Sequence, residues 1–193
     1  MFTNPISLAT YCLYICLESR IVALRLFDGI IKIINLNSSN KQLTATTQRI
    51  DEIEVLDMQF LYVVSKPTLA LLYQDQSVST RLSFKYQTKI YHKGRHVSTY
   101  TISTDESHDV GRGPFRQSDV ETEAALLVPV PDPSGVLIIG QDTITFHDGK
   151  NLITASPEIL QEHLITCTTK IDKNRKVFHT YHHFLIFDFR RSK

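Results

Sequence analysis

Short apolar runs separated by turn residues dominate this chain. The clearest case is residues 21–36, "IVALRLFDGIIKIINL", where Asp28 and Gly29 stand between two apolar runs. Asp-Gly favours a two-residue type I′ turn, in which both central residues have φ > 0. The pattern therefore predicts a β-hairpin with Phe27 opposite Ile30.

Counting back from the turn assigns alternate hairpin residues to two faces. The first face carries Val22, Leu24 and Leu26 beside Ile31, Ile33 and Asn35, and the second carries Ile21, Ala23, Arg25 and Phe27 beside Ile30, Lys32, Ile34 and Leu36. This register sets Arg25 opposite Lys32, so both charged heads are expected to reach water. A hairpin with one wet face alternates between apolar and polar residues, and this one does not. It is predicted to need neighbours on both sides.

Further strand signals follow along the chain. They are "TLALLYQD" at 68–75, "RHVSTYTIS" at 95–103, "AALLVPV" at 124–130, "GVLIIG" at 135–140, "TITFH" at 143–147, "NLITA" at 151–155, "HLITCTTKI" at 163–171 and "HHFLIFDF" at 182–189. The last three strands before residue 156, with an Asp148-Gly149 turn, predict an antiparallel meander. Residues 156–164 predict a helix of one or two turns. Residues 48–62 fit either a helix or a strand.

Strands that are apolar on both faces, with few helices to cover them, favour one all-β architecture. A doubly wound fold needs more helices, and a sandwich leaves one face of each sheet wet. In a β-propeller, each small sheet is covered by its neighbours. Blades repeat at about 40–45 residues, and the two Asp-Gly turns lie 148 − 28 = 120 positions apart. The sequence predicts an incomplete β-propeller of about four blades, part of a larger ring with exposed edge strands.

Composition changes this picture little. The 193 residues are 42% hydrophobic and 21% charged with a net charge of +1, which is typical of a globular domain and gives no electrostatic case for wrapping nucleic acid. Cys12, Cys16 and Cys167 show no zinc-ligand spacing and predict reduced thiols in the cytosol or nucleus. The apolar run at 6–17 is too short to span a bilayer and follows no basic residue, so it predicts neither a membrane anchor nor a signal peptide.

Four groups of residues could be taken for chemical sites, and each has a simpler explanation. His179, His182 and His183 do not share one strand face, as metal ligation would need. Gly111–Pro114, "GRGP", lacks the Gly-Lys-Ser/Thr ending of a phosphate loop and predicts a turn before a buried strand. The basic and aromatic residues at 81–96 could bind single strands, but edge strands also collect lysines. Glu121 and Glu123 are expected on one strand face at its wet end. The sequence therefore predicts no catalytic, metal or cofactor site.

A resemblance adds to this reading. The segments "RIVALRLFDGIIKIINL" at 20–36, "GRHVSTYTIS" at 94–103 and "GRGPFRQSDVETEAALLVPVPDPSGVLIIGQDTITFHDG" at 111–149 resemble the first β-propeller of the family of the large UV-damaged-DNA-binding subunit. Its wider relatives include splicing-factor and cleavage/polyadenylation-factor subunits. The resemblance covers residues 18–175, and it implies that Gly113-Pro114 is a structural turn with Phe115 as an aromatic anchor. Residues 1–17, the insert 76–93 and the tail 176–193 depart from it, which suggests a truncated or misspliced gene model.

The resemblance implies a non-enzymatic protein-binding scaffold, part of the adaptor of a cullin–RING ubiquitin ligase in DNA damage recognition and repair. In that family the second propeller docks the cullin, and the first and third hold substrate receptors. It implies contact with DNA only through a partner, no membrane, no small-molecule substrate, no cofactor, and a location in the nucleus and also the cytoplasm. No contact residue of the family is carried over to a position here. Two alternatives stay open: a nucleic-acid-binding module of a repair or RNA-processing complex, and a truncated product without independent function.

Overall fold

The structure, a computed structural model, describes fifteen strands. It covers residues 12–16, 21–36, 41–62, 66–75, 94–103, 109–158, 165–170, 175–180 and 184–188, with side chains from 21 to 158 within those ranges. The strands are β1 (Cys12–Cys16), β2 (Ile21–Phe27), β3 (Ile30–Leu36), β4 (Leu43–Arg49), β5 (Glu54–Phe60), β6 (Thr68–Gln74), β7 (Arg95–Ile102), β8 (Val110–Val120), β9 (Leu126–Pro131), β10 (Ser134–Ile139), β11 (Ile144–His147), β12 (Leu152–Ala155), β13 (Ile165–Lys170), β14 (Arg175–Thr180) and β15 (Phe184–Asp188).

These strands form four small antiparallel sheets, each with its strands in chain order. Sheet 1 is β1-β2-β3-β4, sheet 2 is β5-β6-β7-β8, sheet 3 is β9-β10-β11-β12, and sheet 4 is β13-β14-β15. The first strands of successive sheets are neighbours, because β1 contacts β5 and β5 contacts β9. Sequential four-stranded sheets that meet through their first strands are the arrangement of propeller blades around an axis.

Sheet 2 is buried on both faces. Along β6, the side chains of Leu69, Leu71 and Tyr73 belong to a core shared with sheet 1. The intervening Ala70 and Leu72 belong to a core shared with sheet 3. Successive side chains of a strand point to opposite faces, so a strand apolar throughout is stable only where both faces are covered. This packing confirms the expectation of sheets covered by their own kind.

The hairpin of β2 and β3 forms as predicted, with Phe27 opposite Ile30, but its register shifts beside the turn. A bulge between Arg25 and Phe27 sets Arg25 opposite Ile31. The predicted pairing of Arg25 with Lys32 is therefore wrong. A one-residue shift in the pairing of two strands changes which side chains of the two strands share a face of the sheet.

The two faces of the hairpin consequently differ from those expected. Ile21 and Ala23 lie with Ile31 and Ile33 in the core shared with sheet 2, whereas Val22 and Leu24 on the other face are half-buried. One face is thus fully covered and the other partly covered, as a blade near one end of a partial ring requires.

Both Asp-Gly turns form, in conformations other than type I′. Gly29 has φ = 71° and Gly149 has φ = 96°, whereas Asp28 and Asp148 do not enter the positive-φ region. The second turn spans four residues, because His147 pairs with Leu152. Asp148 Oδ1 accepts hydrogen bonds from the N–H groups of Lys150 and Asn151. In this second turn, the glycine adopts the left-handed conformation and the preceding Asp side chain caps the loop. This arrangement is an alternative to the I′ turn.

The other strand predictions can be compared with the described residues. The ambiguous segment 48–62 contains the end of β4 and all of β5, so it is strand. β10, β11 and β12 form the expected meander. The segments at 163–171 and 182–189 contain β13 and β15. The helix expected at 156–164 falls mostly outside the described residues, which end there at Glu158.

Candidate functional site

A bulge in β5 ties three sheets together. The register of β5 against β6 shifts between Val55 and Asp57, which leaves Leu56 39% exposed. The Val55 carbonyl accepts a hydrogen bond from the Arg25 guanidinium of sheet 1. On the other side, Asp57 Oδ2 accepts the Leu127 N–H of sheet 3 at 2.7 Å. Because bulges re-aim side chains and free main-chain groups, this one lets β5 hold both of its neighbouring sheets.

Apolar side chains also reach the surface at the outer rim. Leu43 on β4 is 70% exposed, and Leu152 and Ile153 on β12 are 47% and 61% exposed. Phe27, at the tip of the first hairpin, is 62% exposed. β4 and β12 are the last strands of sheets 1 and 3, so one edge of each pairs with no other strand in the described part of the chain. Exposed apolar side chains on free strand edges are suited to contact with other proteins.

Between sheets 1 and 2 lies a buried carboxylate. Glu52 is 3% exposed, and it accepts hydrogen bonds from the hydroxyl of Ser98 at 2.9 Å and that of Tyr100 at 2.5 Å. Burial, followed by the hydrogen bond to Glu52, raises the pKa of the Tyr100 hydroxyl. The two hydroxyls replace the water that the carboxylate loses on burial, so Glu52 stabilises the sheet only while both are present.

A second polar contact extends this cluster outward along β8. Arg116 Nη2 donates to the Tyr73 hydroxyl at 2.7 Å, and its guanidinium lies 5.9 Å from the centre of the Tyr73 ring. Burial raises the pKa of Tyr73, and the hydrogen bond raises that of Arg116. Further out, Arg112 and Asp51 form an exposed ion pair at 2.6 Å. These groups bond to one another and form a polar seam between two blades. Among them, no nucleophile lies beside a general base.

The predicted carboxylate pair does not share a strand face. Glu121 and Glu123 lie in the connection between β8 and β9. The Glu121 carboxylate accepts the N–H groups of residues 141, 142 and 143 at 2.7–2.9 Å and the Thr143 hydroxyl at 2.5 Å. Glu123, 61% exposed, lies 3.7 Å from Arg95. Glu121 thus binds the loop between β10 and β11, and Glu123 is the only one of the two at the wet surface.

The segment Gly111–Pro114 lies within β8 and is not a turn, so that prediction is wrong. Arg112 pairs with Tyr100, and the register shifts between Ser98 and Tyr100. At Gly113, a Cβ atom would stand 2.4 Å from the Thr99 hydroxyl oxygen. Glycine is therefore required by a close approach of two strands, as it often is at irregular pairings. Phe115 is the expected aromatic anchor: it packs on the core between sheets 2 and 3, 4.3 Å from the His147 ring.

The remaining candidates fall partly or wholly outside the described residues. His179 lies on β14, while His182 and His183 are outside them, as is most of the basic and aromatic segment 81–96. Within the described ranges, no three His, Cys, Asp or Glu side chains are grouped as a metal would require. Those ranges also contain no helix with the length and apolar character needed to cross a bilayer.

The sequence pointed to Arg25 and Glu121 but gave them other roles, and it did not single out Asp57 or Glu52. Arg25 was expected to reach water, yet its guanidinium is bound to the Val55 carbonyl. Arg25 and Asp57 each stand inside a run of apolar residues, and a charged residue there is a usable signal because it must find a partner. Glu52 and Glu121 stand among other acidic residues, where no such contrast exists.

Small antiparallel sheets that pack face to face and meet through their first strands define the β-propeller class. The chain matches the family model described as the RSE1/DDB1/CPSF1 first beta-propeller over residues 13–189, and it belongs to this family.

Curated relatives agree with this assignment. The chain is 30% identical over 158 residues to "DNA damage-binding protein 1" of Drosophila melanogaster, which is 81% of this chain and 12% of that protein. It is 38% identical over 130 residues to "DNA damage-binding protein 1b" of Arabidopsis thaliana, 67% of this chain and 10% of that protein. It is 32% identical over 156 residues to "DNA damage-binding protein 1" of Oryza sativa subsp. japonica, which is 80% of this chain and 13% of that protein. The chain therefore spans only about a tenth of the length of these relatives. The resemblance expected from the sequence is confirmed.

Proposed function

We propose that this chain is part of a non-enzymatic protein-binding scaffold, the adaptor of a cullin–RING ubiquitin ligase that acts in DNA damage recognition and repair. The observation that carries the proposal is the family match over residues 13–189. The relatives named above are DNA damage-binding proteins. The proposed location is the nucleus, and also the cytoplasm.

The described surface fits a scaffold. The polar groups between the blades are saturated by each other, whereas Leu43 and Ile153 at the rim are exposed on strands with free edges. A scaffold needs a rigid centre and surface strands that can bind other proteins. By its family, the chain would contribute to the groove that holds substrate receptors, while cullin docking would belong to a different propeller of the complete protein.

Reconstitution tests the proposal. A full-length protein that contains this propeller is expected to elute in one complex with a purified cullin amino-terminal domain and a damage-binding receptor. The 193-residue chain alone is expected not to bind the cullin. A full-length protein that binds neither component would overturn the proposal, and a chain that binds the cullin alone would overturn the division of roles.

A second candidate is direct binding of nucleic acid, which the names of the relatives favour. The net charge of +1 speaks against it, because non-specific binding depends on neutralised phosphates. Retention of the chain on DNA that weakens steeply between low and high salt would favour the second candidate. Absence of retention at low salt supports the scaffold.

We also propose that residues 76–93 are an insertion relative to the family that arises from a misspliced gene model. Sequencing of the transcript across the codons for 76–93 tests this. A spliced mRNA that encodes the insertion would contradict it.

A further inference from the structure

His96 lies at a junction of three strands of sheet 2. It is 8% exposed on β7, and its Nδ1 accepts the main-chain N–H of Asp119 at 3.1 Å. A main-chain N–H can only donate, so Nδ1 carries no proton. The imidazole is therefore neutral in this conformation, with its proton on Nε2.

The opposite edge of the ring faces a carboxylate. His96 Nε2 lies 2.9 Å from Asp75 Oδ2, but its hydrogen is not aligned for a hydrogen bond, and this buried nitrogen has no other partner among the described residues. Asp75 itself is 63% exposed. The Tyr73 ring lies 5.3 Å from the imidazole. The neutral form thus satisfies Nδ1 and leaves Nε2 unsatisfied beside a negative charge.

The peptide that His96 holds has an unusual conformation. Asp119 has φ = 56°, one of two non-glycine residues with positive φ in the part of the chain that is described. Such conformations persist where surrounding contacts hold them. The Asp119 N–H bond to His96 is a contact of that kind, at the end of the outermost strand of sheet 2.

We infer that His96 is a proton-sensitive clasp for the end of β8. Protonation turns Nδ1 into a donor, so it can no longer accept the Asp119 N–H, and two donors then face each other. Nε2 carries its hydrogen in both forms, so the added charge only strengthens its attraction to the Asp75 carboxylate. The proton therefore removes a bond to β8, strengthens a contact with the end of β6, and releases the peptide at Asp119.

The charges around the ring set the balance. The Asp75 carboxylate, 2.9 Å from Nε2, favours the imidazolium, and Asp119, whose Oδ1 also lies close to Gly94, adds a second negative charge nearby. Arg95 precedes His96 on β7, and Arg116 is bound to Tyr73, so both cations oppose it.

The position of the clasp gives it a structural consequence. The Asp75 N–H donates to the Gly94 carbonyl at 3.0 Å, which closes the base of the connection between β6 and β7. Release of Asp119 would loosen β8 against that base at the outer edge of the blade. This inference concerns the fold alone, so it stands or falls independently of the proposed ligase role.

Nuclear magnetic resonance of the 193-residue chain between about pH 5 and pH 8 tests the clasp. The Asp119 amide shift and its hydrogen-exchange protection are expected to change with the same midpoint as the His96 imidazole nitrogens. Protection should fall roughly tenfold on the acid side, since one partly buried hydrogen bond is lost. An Asp119 amide that keeps its protection while His96 titrates, or a His96 that does not titrate in this range, would overturn the inference.

Three variants sharpen the measurement. His96→Asn keeps an acceptor near Nδ1 but cannot titrate, so Asp119 protection should no longer depend on pH. Asp75→Asn removes the charge that favours the imidazolium, so the midpoint should fall. Asp142→Asn, an exposed change on sheet 3, should leave it unmoved. If His96→Asn does not fold, the Asp75→Asn midpoint decides: an unchanged midpoint contradicts the clasp.

Discussion

The Arg25 guanidinium on β2 donates a hydrogen bond to the main-chain carbonyl of Val55 on β5, across the junction of sheets 1 and 2. Arg25 follows Ile21 and Ala23 on the face of β2 that packs against sheet 2. On the other side of the junction, the bulge after Val55 interrupts the pairing of β5 with β6. The alternation of β2 and the bulge of β5 thus bring the two groups of this bond together.

Arg25→Met is expected to destabilise the chain by about 1–3 kcal/mol, because the partly buried Val55 carbonyl loses its charged donor. Urea unfolding followed by circular dichroism measures the loss. Asp28→Ala should cost much less, since Asp28 is 58% exposed and its ion pair with Arg25 is screened by water. Equal losses in the two variants would show that the surface ion pair, and not the bond to Val55, stabilises the junction.

Gly113→Ala is expected to be severely destabilising or insoluble, because the new Cβ would lie 2.4–2.6 Å from three atoms of Thr99, one of them main-chain carbon. The backbone must move to relieve such an overlap, which is expected to lower the free energy of unfolding by about 1–3 kcal/mol or more. Gly111→Ala, two residues earlier on the same strand, is the matched control. Its Cβ would approach no atom closer than 3.6 Å. Thermal unfolding of both variants should separate them clearly, and similar melting temperatures would contradict the close packing of β7 on β8.

Glu121→Ala is expected to cost about 1–3 kcal/mol, because three N–H groups of the loop at 141–143 lose their acceptor together. Those amides should also exchange faster with solvent. Glu123→Ala, which removes only an exposed carboxylate 3.7 Å from Arg95, should change stability by less than about 0.5 kcal/mol. A Glu121→Ala protein with unchanged amide exchange in the loop would rule out this role.

Stability is expected to fall in alkali because of Tyr100. Its folded pKa is raised by burial and by Glu52, whereas the unfolded side chain ionises near about pH 10. Above that pH the unfolded state releases a proton that the folded state keeps, so the stabilisation present below about pH 10 is lost as pH rises. Tyr100→Phe should flatten this dependence in urea titrations between about pH 8 and pH 11. Tyr73 acts in the same direction, so Tyr73→Phe should flatten it as well.

The architecture followed from the sequence because two-sided burial leaves a direct trace. In β6, an unbroken apolar run reports that both faces are covered, and that trace predicted a sheet between two sheets. The register of the hairpin at residues 21–36 could not be predicted in the same way. The alternation of residues 21–36 contains nothing that marks a bulge after Arg25, since apolar residues stand on both sides of it.

The polar contacts between blades were out of reach for a related reason. Glu121 binds a loop twenty residues further along the chain, and its neighbours Glu123 and Asp119 carry the same charge type. Only the fold distinguishes the carboxylate that is bound from those in water. Gly113 was noticed as part of a glycine pair, but its cause, the main chain of Thr99, lies on another strand.

Since sheet 2 contributes its two faces to two different cores, neither of those cores can melt without exposing one side of the same four strands. Linear arrays of repeats lose their units one after another, because each end unit touches a single neighbour. Here sheet 2 couples the unfolding of sheet 1 to that of sheet 3. Heat or denaturant should therefore unfold sheets 1 to 3 in one cooperative step. Evolution at one blade seam is then constrained by the other, even though the buried residues described for the two cores are different.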